Sequence, residues 1–143
     1  MKFLLAAIWI IYLAGGHVMA TEIEVRVKNI EVVRGGNLVV MLFREQGFPK
    51  CHESAVQSRK AGKLNTEMTF RFVVEERDLA IKIHHDEDSN GRVTKNWTGI
   101  YPKEGLGFSN RQKVTLTGPP KYKRSKLNVS SAETPIEISM TYP

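Results

Sequence analysis

The sequence predicts a single antiparallel β-sandwich of about seven strands, on three observations. Apolar residues recur at every second position through most of the chain, the period of a half-buried strand. The apolar runs are separated by Gly, Pro and Asn clusters that mark turns. No comparable stretch carries a helical period. A closed barrel is the alternative. Connections of uneven length suit Greek-key crossings better than an up-and-down meander.

The strands follow in order. Ile23, Val25 and Val27 alternate with Glu22, Glu24, Arg26 and Lys28, giving a strand with one wet face. Gly35-Gly36-Asn37 turns the chain into Leu38 to Phe43, which is apolar on both faces as a central strand would be. Gly47-Phe48-Pro49 ends it. Cys51 to Ala61 holds Ala55, Val56 and Ala61 among polar residues and reads as a connection with a helical turn or two. Met68, Phe70, Phe72 and Val74 then share one face against Thr69 and Arg71. Leu79, Ile81, Ile83 and His85 share a face opposite Ala80, Lys82 and His84. Shorter strands are expected at Lys113–Leu116 and Lys126–Val129, separated by Gly118-Pro119-Pro120. The last strand points Ile136, Ile138, Met140 and Tyr142 inward.

The N-terminus predicts export. Lys2 precedes an apolar run from Phe3 to Leu13, and Val18 and Ala20 stand at the −3 and −1 positions of a cleavage site. That is the pattern of a signal peptide over residues 1–20, and the run is shorter than the ~20 residues that span a bilayer. Cleavage would leave residues 21–143 as one secreted or periplasmic domain, with no transmembrane segment. Cys51 is the only cysteine, so the core alone must hold the fold. An adjacent His52 does not make Cys51 a nucleophile, because catalytic partners are placed across a site. The chain is basic, at +6, with an excess at Lys121, Lys123, Arg124 and Lys126. Only Tyr122 is interleaved there, which argues against a nucleic-acid surface and for a solvated sheet edge.

Residues 86–110 concentrate the functional signals. Asp86, Asp88 and Asn90 fit positions 1, 3 and 5 of a calcium loop, Gly91 fits position 6 and the Arg92 carbonyl position 7. Position 12 is Trp97 rather than a bidentate Glu, and strands flank the loop. Glu104 would restore charge if the chain folds back. Such a site is a weak Ca2+ binder, at ~10⁻³ M. The same side chains equally make Asx-turns to the backbone. His84 and His85 are neighbours on a strand and point to opposite faces, so they cannot chelate one ion. His85 reads as a hydrogen-bonded core histidine at the base of the loop. Trp97 and Phe108 are candidate ligand-binding aromatics for a saccharide or peptide.

The run Ala80-Ile81-Lys82-Ile83-His84-His85-Asp86-Glu87-Asp88-Ser89-Asn90-Gly91, followed by Pro102-Lys103-Glu104-Gly105 and Gly107-Phe108-Ser109-Asn110, resembles the exported bacterial proteins grouped as domain of unknown function 2141. Val39-Val40-Met41-Leu42-Phe43 before Gly47-Phe48, and Pro119-Pro120, fit the same pattern. The resemblance spans essentially all of residues 21–143. It implies a small secreted β-sandwich of the transthyretin-like, Ig-like kind, and it implies no activity. Two positions depart from the family pattern: Thr94 stands where an acidic residue is usual, and Tyr101 is inserted between Ile100 and Pro102.

No nucleophile elbow, P-loop, zinc-protease helix or dinucleotide fingerprint occurs. The expected function is therefore a non-enzymatic binding or structural module of the bacterial envelope or secretome, with an envelope protein, peptide or saccharide as partner. A small metal-assisted hydrolase using His85, Asp86 and Asp88 is the alternative.

Overall fold

The computed structural model describes residues 19–143. The leader assigned to residues 1–20 lies outside them, apart from Met19 and Ala20. Eight strands run in order: β1 (Thr21–Lys28), β2 (Asn37–Phe43), β3 (Gln57–Ala61), β4 (Met68–Val74), β5 (Asp78–Asp86), β6 (Leu106–Phe108), β7 (Leu127–Asn128) and β8 (Ile136–Ser139). One helical turn, α1 (Tyr122–Ser125), precedes β7. The strands form two sheets, β4-β1-β8 and β3-β2-β5-β6, with β7 paired to β5. The protein is an all-β sandwich. Among the described residues no helix is long and apolar enough to cross a membrane.

The core lies between the sheets and follows the period of two. Val25, Val27, Leu38, Val40, Leu42 and Ile83 are fully buried there, with Phe72, Leu79, Ile138 and Met140 against them. Burial of each such side chain contributes roughly 1.5–3 kcal/mol. The outer face of the smaller sheet is wet. Ion pairs cross it from Lys28 to Glu137 at 2.9 Å and from Arg71 to Glu24 at 3.3 Å. Such exposed pairs contribute little to stability.

The structure corrects four local expectations. β8 runs parallel to β1, with Val25 opposite Ile136 and Val27 opposite Ile138, so the smaller sheet is mixed. A parallel neighbour needs a long crossover, and here the whole larger sheet intervenes in the chain. Cys51 to Ala61 holds a 3-10 turn at His52–Ser54 and then strand β3. β3 is an edge strand of exposed polar residues, so no apolar period marks it. Lys113–Leu116 is not a strand; a tight turn with one bridge from Thr115 to Gly118 replaces it, and Leu116 is exposed. β6 went unpredicted because it is three residues long and contains Gly107, which lies against Ile138 and Met140.

The larger sheet is covered on both sides. Met41, Phe43, Ala80, Lys82, His84 and Asp86 are all buried on its far face. The 47–54 connection and the long segment after β5 roof that face. Phe48 packs edge-on against Phe43, Phe108 and Tyr122, with ring centroids 5.6, 6.2 and 6.0 Å away. Gly36, at φ +70°, lets the chain enter β2 against the backbone of Asp86 and Glu87, where a Cβ would overlap the Asp86 carbonyl.

Candidate functional site

Alternation along β5 places Lys82, His84 and Asp86 in one row on the covered face, each at most 4% exposed. The roof supplies their partners. Lys82 Nζ donates to the Pro49 carbonyl at 2.8 Å and lies 2.8 Å from His52 Nε2. His52 Nδ1 lies 3.3 Å from the Gly91 carbonyl. A carbonyl only accepts, so Nδ1 carries the proton and Nε2 accepts from the lysine. The His52 ring stands 5.5 Å from that of His84, and His84 Nε2 meets Glu104 Oε2 at 2.7 Å. Two polar groups thus lie side by side on the covered face, Pro49 with Lys82 and His52, and His84 with Glu104, with the two histidine rings as neighbours between them.

Burial sets the electrostatics of this row. Loss of water pushes the Lys82 amine down to about 8 from its ordinary 10.5. His52 is also pushed below its ordinary value, first by burial and then by the positive charge of Lys82.

The loop after Asp86 is closed by its own side chains. The Asp86 carboxylate accepts from the amides of Asn90 (3.1 Å) and Gly91 (2.8 Å). Asp88 accepts from the Asn90 amide at 3.1 Å and the Thr94 hydroxyl at 2.8 Å. The Thr94 hydrogen bond holds the Asp88 carboxyl below its ordinary range. Asn90 Oδ1 in turn accepts from the Arg92 amide at 2.8 Å. Asp88, Asn90 and Arg92 stay on the exposed rim. Glu104 folds back under the loop, onto His84 and the amides of Glu87 and Thr94, and away from the side chains of the rim. Donor atoms of His84, Asp86 and Glu104 lie within 4.8 Å of one another.

His85 points the other way. Its Nδ1 lies 2.8 Å from the Tyr142 hydroxyl and its Nε2 2.6 Å from the Gly35 carbonyl. It is a fully buried core histidine, and the trio His85, Asp86 and Asp88 required by the hydrolase alternative is not assembled. The aromatic pair is also separated. Trp97 is 95% exposed on the hairpin bridged by Lys95 and Pro102, whereas Phe108 is buried in the far-face cluster. Cys51 is exposed, with Sγ 3.4 Å from Glu53 Oε2.

Beside the polar row opens a groove of about 480 Å³. Val93, Ile100, Leu106, Phe108, Val114 and Leu116 form its apolar walls. Lys50, His52, Lys82, Arg92 and Lys95 supply basic groups, against Glu53 as the one acid. Lys82 and His52 went unnoticed as site residues. The signal was present in the sequence, because Lys82, His84 and Asp86 recur at a spacing of two on the face of the strand opposite Leu79, Ile81 and Ile83, as a second face would.

These features define a two-sheet β module with one roofed face, a buried polar row and a basic, apolar-walled groove. Residues 25–137 match the family of uncharacterised proteins conserved in bacteria known as domain of unknown function 2141, and the chain belongs to it. No curated protein and no solved structure matches it.

Proposed function

We propose that this protein is an exported, non-enzymatic binding module whose groove takes an apolar ligand bearing a carboxylate. The leader-like N-terminus supports export. The observation that carries the binding reading is the Lys82 ammonium, buried at the edge of an apolar-walled groove beside His52 and below Arg92 and Lys95. A cation held in a dry wall attracts an anion more strongly than one in water, because the local dielectric is low. The apolar walls then favour a ligand whose remainder is hydrophobic. The carboxylate can belong to a fatty acid or to the C-terminus of an apolar peptide.

Isothermal titration separates these sources. Decanoate tests the first, and an apolar hexapeptide with a free or an amidated C-terminus tests the second. The expected result is one site that requires the free carboxylate. Arg92→Ala should weaken it and Leu116→Asp should abolish it, since both are exposed rim positions whose change leaves the core intact. Equal affinity for free and amidated peptide, with no decanoate binding, would overturn the reading.

A further inference from the structure

We infer that His84, Asp86 and Glu104 form a binding site for a divalent first-row transition ion, of the class represented by Zn2+. The three side chains are 1%, 2% and 3% exposed and converge from two elements, β5 and the segment that leads into β6. Their donor atoms lie within 4.8 Å of one another. Around a tetrahedral ion with bonds of about 2.1 Å, ligand atoms stand about 3.4 Å apart. Side-chain adjustment of about an ångström therefore completes the set.

The charge arrangement is the second argument. Two carboxylates are buried side by side, and like charges in a dry site repel. Among the described residues no lysine or arginine pairs with either. Lys82, in the same row, turns its ammonium toward Pro49 and His52 rather than toward either carboxylate. Arg34 pairs with Glu31 and Glu87 instead. The side-chain partner of Glu104 is His84, 2.7 Å away. A divalent ion supplies the missing positive charge and takes the place of the proton between His84 Nε2 and Glu104 Oε2.

The carboxylates are also pre-oriented. Amides of Asn90 and Gly91 hold Asp86, and amides of Glu87 (3.0 Å) and Thr94 (2.9 Å) hold Glu104. Each carboxylate has about four lone-pair sites, so these bonds fix its aim and leave lone pairs for an ion. Outer hydrogen bonds of this kind orient metal ligands. One imidazole with two carboxylates suits zinc and its neighbours, whereas calcium and magnesium call for all-oxygen shells. The site differs from a calcium loop in that it uses His84 and leaves Asp88, Asn90 and Arg92 outside.

The test is zinc titration of the chelator-stripped protein by calorimetry, with histidine ring signals followed by NMR on the natural sequence. The expected result is one zinc per chain, a shift of the His84 ring signals, and no response to Ca2+ or Mg2+. Asp86→Asn and Glu104→Gln should each weaken binding by more than about 100-fold. Asp88→Asn, on the rim, and Cys51→Ser, which removes the exposed thiol, should leave it unchanged. Zinc binding that spares the His84 signals, or that disappears with Cys51, would overturn the inference. So would no binding at all. The NMR readout holds even if a ligand variant fails to fold.

Discussion

Lys82 makes stability depend on pH in a window that no exposed lysine would touch. Its folded value is about 8 against an ordinary 10.5, so between these limits the unfolded chain holds a proton that the folded chain has released. Stability therefore rises with pH across that window. Below pH 8 both states are charged and the burial penalty is present in full; above about 10.5 it is gone. The gap corresponds to roughly 3 kcal/mol, at 1.36 kcal/mol per unit. Lys82→Met keeps the length of the side chain and removes the charge. Urea unfolding of both proteins in EDTA, at pH 7.5, 9.0 and 10.3, gives the difference in stability at each pH. That difference should move in favour of the natural protein by about 2–3 kcal/mol from the lowest pH to the highest. Tyr122 and Tyr142, both raised by burial, act equally in the two proteins and cancel. A difference that stays flat with pH would refute the buried amine.

Three further outcomes follow from packing and hydrogen bonding. Gly105→Ala should destabilise by about 1–3 kcal/mol in urea unfolding, because a Cβ there would overlap the Tyr142 ring. Tyr142→Phe should cost about 1–3 kcal/mol by the same measurement, since its hydroxyl meets His85 Nδ1 and accepts from the Glu31 amide at 3.0 Å. Cys51→Ser should stay within about 1 kcal/mol of the natural protein, because the thiol is exposed and closes no loop.

Periodicity made the inter-sheet core legible: Ile23, Val25, Val27, Phe72, Val74, Leu79, Ile81 and Ile83 all lie on the faces that alternation assigns them. It failed where a strand has no contrast between its faces. β3 reads QSRKA and is an edge, and β6 is Leu-Gly-Phe, too short for a period to show. The direction of β8 was also out of reach, since alternation is the same for parallel and antiparallel neighbours. For the site, the sequence pattern grouped Asp86 and Glu104 with the rim residues Asp88, Asn90 and Arg92, whereas the fold sets them beside His84, brought in by the parity of β5. Lys82 meets His52 only because the 47–54 connection folds over the sheet, a contact of 30 residues' separation with no local signature.

The groove itself is tested most directly by amide NMR during titration with an apolar hexapeptide carrying a free C-terminus. Shifts should concentrate at Lys82, Arg92, Val93 and Leu116 around the groove, and the amidated peptide should leave them unmoved. Shifts at Thr69, Arg71 and Val73 on the outer face of the β4-β1-β8 sheet, or identical shifts with both peptides, would contradict it.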